Sequence, residues 1–133
     1  MQESSLFKAI FRNVFKFRGL RESFNFAAKG ILYLFLYHRN MRVIFMLGLA
    51  AILAGVLFHL KGIELVALCI TVTLVFMAEI FNTAVELMMD SITEKYHTKI
   101  RLIKDIAAGI VLITCINALA VGYALFAQRI FKG

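Results

Sequence analysis

Three long apolar runs restrict the fold of this chain more than any other feature. Val43 to Leu60, VIFMLGLAAILAGVLFHL, is 18 residues interrupted only by His59. Leu65 to Ala78, LVALCITVTLVFMA, continues without a helix breaker to about Asp90, and Ile106 to about Ala127 reads IAAGIVLITCINALAVGYALFA. A helix of roughly 20 apolar residues crosses the hydrocarbon of a bilayer, and a spanning backbone must satisfy its own hydrogen bonds. The pattern therefore predicts an all-α membrane protein with transmembrane helices over 43–60, 65–90 and 106–127. Composition agrees: with 62% hydrophobic residues among 133, the chain has too little polar surface to cover a soluble fold.

The N-terminal part differs. In LFKAIFRNVFKFRGLR, from Leu6 to Arg21, Lys8, Arg12 and Lys16 recur every four residues while Phe7, Ile10, Phe11, Val14 and Phe15 lean to the other side. This predicts a basic amphipathic helix lying in the membrane interface. Phe24 to Tyr37 adds a second helical stretch, too short and too close to the basic end to be chosen as a span. Residues 1–40 are thus read as interfacial helices and 1–133 as one domain, since no repeat or Pro/Gly/Ser linker divides the chain.

Charge placement orients the spans. Residues 1–42 hold eight Lys/Arg against two Glu, and Ser91 to Asp105 hold four Lys/Arg. The first turn holds one and the C-terminus two. Positive charge stays inside, so the N-terminus and residues 91–105 are expected in the cytoplasm and the C-terminus outside. The same basic surface suits anionic lipid, and nothing else in the chain supports a nucleic-acid partner. Cys69 and Cys115 lie in apolar runs, with no C-x-x-C and no His at ligand spacing, and read as reduced thiols. Charges interspersed through residues 1–30 argue against a cleaved signal.

The second span carries acids. In AEIFNTAVELMMD, Glu79, Asn82, Glu86 and Asp90 fall within roughly 80° of one helix face. Ionisable groups at membrane depth mark function by default, and Glu79 is the deepest of the four. Asp90 has a plain alternative as a solvated helix-end residue, and Glu86 as the partner of a Lys from the following segment. Carboxylates followed by Tyr96, His97, Arg101, Lys104 and Asp105 combine hard-cation ligands with cations suited to phosphate, the inventory of a Mg²⁺-nucleotide site. A carboxylate at Glu79 is placed to meet the hydroxyl of a lipid that stays in the membrane. Soluble nucleotide motifs are missing, for neither G-x-x-x-x-G-K-[ST] nor G-x-G-x-x-G occurs.

EIFNTAVELMMD with SITEKYHTKIRLIKDIAAG resembles the signature of the prokaryotic diacylglycerol kinase and undecaprenol kinase family of small three-span membrane enzymes. The resemblance extends upstream to AAKGILYLF and RNMR and covers roughly residues 24–126. It implies phosphorylation of a membrane lipid alcohol, undecaprenol or diacylglycerol, by ATP with Mg²⁺ at the cytoplasmic face of the bacterial inner membrane. It also implies a homotrimer with sites shared between subunits. Position by position, Glu79 matches the base for the lipid hydroxyl and Glu86 a ligand of the nucleotide-bound Mg²⁺. Asn82, Asp90, His97, Lys104 and Asp105 match nucleotide-site positions, and Arg42 of RNMR joins Glu79 at the lipid. KDIAAGIVLI and NALAVGY resemble the undecaprenol-kinase branch.

The chain departs from that pattern at His38, where the family often has a Glu that joins the metal site; imidazole is a poor ligand for Mg²⁺. Ile44 also replaces a position that is often polar. A catalytically weakened relative that binds lipid or a membrane partner is the alternative that His38 favours. A small proton-coupled transporter, in which Glu79 titrates, leaves the Tyr-His and Lys-Asp pairs unexplained. His59 reads as an interfacial residue without a role, and Asn117 as an interhelical hydrogen-bonding group.

Overall fold

The structure, a computed structural model, describes residues 2–14, 17–92 and 98–132, and every element among them is helical. Two compact units follow one another, 1–38 and 39–133.

The first unit holds α1, Gln2–Val14, and α2, Phe17–Tyr37. The helix expected over Leu6 to Arg21 is therefore shared between two elements, with residues 15–16 outside the described chain. The stretch that begins at Phe24 is the second half of α2. No proline interrupts α2, and it stops at His38, whose backbone N–H still reaches the Leu34 carbonyl at 3.0 Å. Tyr33 stacks tilted against Tyr37 at 4.8 Å, one turn on, and meets the His38 ring edge-on at 6.0 Å.

The second unit holds α3, Arg39–Leu57, α4, Ile63–Ile92, and α5, Thr98–Gly122; a π-helical turn, Tyr123–Ala127, leads from α5 into α6, Gln128–Lys132. Among the described residues three helical stretches are long and apolar enough to cross a membrane: Arg39–Leu57, Ile63–Ile92 and Thr98–Phe131. Each runs past the apolar limits read from the sequence at one end or both. The flanks RNMR, ELMMD and TKIRLIKD form helix well enough to carry the span into polar surroundings.

The first span ends earlier than expected because the chain turns there. Leu60 donates its N–H to the Gly55 carbonyl at 2.9 Å and His59 to Val56 at 3.1 Å. His59 sits at φ +62, the left-handed conformation that closes a helix and that glycine adopts most readily. His59, expected to be idle, thus makes the turn. Leu60 is buried back over Gly55, where a Cβ would come within 2.6 Å of Leu68 Cδ2 and 3.1 Å of Leu60 Cδ1. Gly48 is equally constrained, with Val72 Cγ1 at 2.7 Å from a Cβ placed there. Small residues let α3 and α4 approach closely, the usual device where lipid removes any hydrophobic drive between helices.

At its other end α4 packs on α5 through Val85, Met89 and Ala107, with Ile100 against them. Of the most apolar window in each span, 22% is buried within the chain for α4, 11% for α3 and none for the third. Much apolar side-chain surface is left for lipid or other protein, including Ile113, Ile116 and Leu119.

Candidate functional site

Helix length places the acids. About 20 residues counted from Ile63 reach the far edge of the hydrocarbon near Thr83, and α4 runs on to Ile92. Glu79 lies inside that edge and Glu86 and Asp90 beyond it. The burial pattern matches: Glu79 is buried to 7% exposure, Asn82 is half-buried, and Glu86 and Asp90 are exposed.

Around Glu79 the backbone is reinforced by Thr83, itself buried, whose hydroxyl donates to the Glu79 carbonyl at 2.9 Å. Sequence reasoning missed Thr83; its signal is the i,i+4 spacing from the deep acid. Asn82 Oδ1 is buried and, among the described residues, stands out as a side-chain oxygen with no hydrogen-bond partner. Leaving such an acceptor bare costs roughly 1–3 kcal/mol, which a ligand at this position removes.

Beyond the hydrocarbon edge, Lys104 Nζ donates to Asp90 Oδ1 at 2.6 Å, joining α4 to α5. It is Asp90 and not Glu86 that takes this lysine. Lys104 precedes the apolar stretch 106–127. Asp105 pairs one turn back with Arg101 at 3.9 Å, both exposed. Arg42, exposed in the first turn of α3, borders a shallow groove with Arg39, Val43 and Met46. His97 lies outside the described residues, and His38 closes the first unit. The structure thus places Glu79, Asn82, Glu86 and Asp90 along one helix and brings Lys104 to Asp90.

Among the described residues no group of three or more His, Cys, Asp or Glu side chains converges on a metal position. Mg²⁺ seldom takes an all-protein cage; it keeps waters and substrate phosphates and uses one or two carboxylates. Glu86, with the bare Asn82 oxygen on the same face, is a donor set of that kind.

The far end of α4 carries a second ion pair, unseen in sequence because its members are 65 residues apart. Arg129 donates to Glu64 Oε2 at 2.7 Å. Phe126, in the π-helical turn that precedes Arg129, meets the ring of Phe58 edge-on at 5.8 Å. Cys69 and Cys115 are free thiols, half-buried.

The family model for prokaryotic diacylglycerol kinase matches residues 25–126. The chain belongs to that family. It is 39% identical over 104 residues to the diacylglycerol kinase of Synechocystis sp., a match covering 77% of this chain and 59% of that protein. It is 29% identical over 109 residues to the undecaprenol kinase of Bacillus subtilis, covering 82% of this chain and 89% of that one. The match therefore spans less than two thirds of the Synechocystis relative and most of the Bacillus one. Every candidate residue from His38 to Asp105 falls within the matched region.

Proposed function

We propose that this member of the prokaryotic diacylglycerol kinase family is an integral-membrane lipid kinase that transfers the γ-phosphoryl group of ATP to a lipid alcohol at the cytoplasmic face. The observation that carries this reading is the depth order along one face of α4: a buried carboxylate at Glu79, a bare amide oxygen at Asn82, and an exposed carboxylate at Glu86. A lipid hydroxyl approaches such a face from the membrane and a nucleotide from water. Glu79 accepts the hydroxyl proton as the lipid oxygen bonds to the γ-phosphorus; the bond to the bridging oxygen breaks and ADP leaves. Glu86 and Asn82 would hold Mg²⁺, which supplies charge neutralisation on the phosphates. Lys104 serves the nucleotide by exchanging its Asp90 partner for phosphate, and Asp105, His97 and Arg42 are assigned nearby roles through the family pattern.

The apolar faces left exposed on the third span, and Asn117 exposed among them, support assembly into a homotrimer, since a polar side chain in a span seeks a partner helix. The excess Lys/Arg at the N-terminal end supports interfacial seating of α1 on anionic lipid and a cytoplasmic N-terminus. His38 in place of a carboxylate favours one other reading, a weakened enzyme that binds lipid without turnover. Full-length protein in lipid nanodiscs, given radiolabelled ATP and a panel of lipid alcohols, separates the two. Labelled lipid phosphate is expected for at least one alcohol. Failure with every alcohol, with ATP still bound, would leave the binding protein.

A further inference from the structure

The region shared with the family begins at residue 25, and α1, Gln2–Val14, lies upstream of it. Around α1, Leu6, Ile10, Phe7 and Phe11 follow one another over about 140° of circumference, with Lys8 about 60° beyond Phe11 and Arg12 about 40° further on. Phe7 stacks on Phe11 with ring centroids 6.1 Å apart, and together with Lys8 and Arg12 they border a shallow groove. One wall of that groove is aromatic and the other cationic. The four apolar side chains are 52% to 68% exposed, largely uncovered by the described residues of this chain.

At 1.5 Å per residue α1 is about 20 Å long, too short for a span, and a helix of 13 residues is marginal in water. It needs a surface to fold on. Charge and chain connection name that surface: residues 1–24 hold five Lys/Arg against two Glu, and one residue after α2 the chain enters its first span at Arg39. A cation-flanked apolar face tethered at a bilayer fits an anionic lipid surface, with the rings among the acyl chains and Lys8 and Arg12 at the phosphates. We infer that α1 is a docking helix for anionic lipid of the cytoplasmic leaflet, and that it seats more firmly as phosphorylated lipid accumulates there. The second half rests on the kinase reading. A lipid alcohol carries no charge, whereas its phosphate monoester carries about 1.5 to 2 negative charges near neutral pH. Each transfer thus adds charge to the leaflet that α1 meets, and each Lys or Arg near such a surface strengthens binding roughly fivefold. In this way α1 gauges the enzyme's own product from outside the fold that carries the acids of α4.

The chain has no tryptophan, so Phe7→Trp gives the full-length protein a single reporter on the apolar face of α1. In phosphatidylcholine vesicles with rising phosphatidylglycerol, its emission should shift to the blue and its quenching by aqueous acrylamide should fall several-fold. Phosphatidic acid, which carries a phosphate monoester, should reach the same end point at a lower mole fraction. Adding Lys8→Gln and Arg12→Gln should raise the anionic lipid needed for half the shift several-fold, and Lys8→Arg with Arg12→Lys should keep the native response. An emission that anionic lipid does not change, as when a second copy covers the face, would overturn the inference, and so would a native response from the glutamine variant. With a lipid alcohol in the vesicles, ATP should drive the same shift as turnover proceeds. A shift with preformed phosphatidic acid but none with ATP would count against the kinase reading and leave the docking helix in place.

Discussion

The two ends of α4 are built from the same parts and do different things. At the Ile63 end, Glu64 takes Arg129 at 2.7 Å; at the Ile92 end, Asp90 takes Lys104 at 2.6 Å. Each pair ties one end of α4 to the third span, and each is partly open to solvent, where ion pairs add little stability. What separates the ends lies between the pair and the membrane. In the turn that leads to Arg129, Phe126 meets Phe58 edge-on, two rings with no hydrogen-bonding needs. Next to Asp90 there are Glu86, a bare amide oxygen and a buried acid. An ion pair at a membrane edge is therefore weak evidence for chemistry, and an uncompensated polar group beside a deep carboxylate is strong evidence.

That contrast breaks first at Glu79. Glu79→Gln keeps size and hydrogen bonding but removes proton acceptance, so kcat should fall by about 10²- to 10⁴-fold with ATP binding retained. Steady-state turnover beside nucleotide binding measures both; retention of most of the turnover would make Glu79 a structural acid, like Glu64 at the other end. Next in size is Glu86→Gln, which should raise the free Mg²⁺ needed for half-maximal rate by roughly tenfold, with little change in rate at saturating metal. A loss of rate that excess Mg²⁺ does not restore would move Glu86 out of the metal site.

Lys104→Ala and Asp90→Ala sharpen the comparison within one pair. If the lysine serves phosphate, Lys104→Ala should raise the KM for ATP several-fold, whereas Asp90→Ala, which frees the same lysine, should raise it less. Equal effects would reduce the pair to a helix clamp. At the opposite end, Glu64→Gln should lower thermal stability by about 1 kcal/mol or less and leave kcat/KM unchanged, read by melting and by turnover on one preparation. The smallest effect belongs to His59→Gly: relieving a left-handed residue should stabilise the turn by about 1 kcal/mol at most, offset in part by the freer unfolded chain. A destabilised His59→Gly would show that the imidazole has contacts of its own at that edge.

Much of the site was legible because helical periodicity and hydropathy are local. The spacing of Glu79, Asn82, Glu86 and Asp90 puts them on one face, and the apolar run before them sets their depth. The Lys104 partner was not legible: a lysine 14 residues from Asp90 and 18 from Glu86 is compatible with either, and only the packing of Val85 and Met89 on Ala107 sets the register that selects Asp90.

By itself the sequence determined that this chain is helical, that it crosses a membrane, and that its acids leave the membrane along one stripe. Those are properties of short windows, decided by 3.6-residue periodicity and by the energy of moving side chains between water and hydrocarbon. Tertiary structure alone decided which groups are satisfied and which are not. Asn82 Oδ1 lacks a partner, Glu64 has one 65 residues away, and Gly48 lies where a Cβ would meet Val72 of the next helix. None of these is a property of a window, because each depends on what a second helix brings to within a few ångströms.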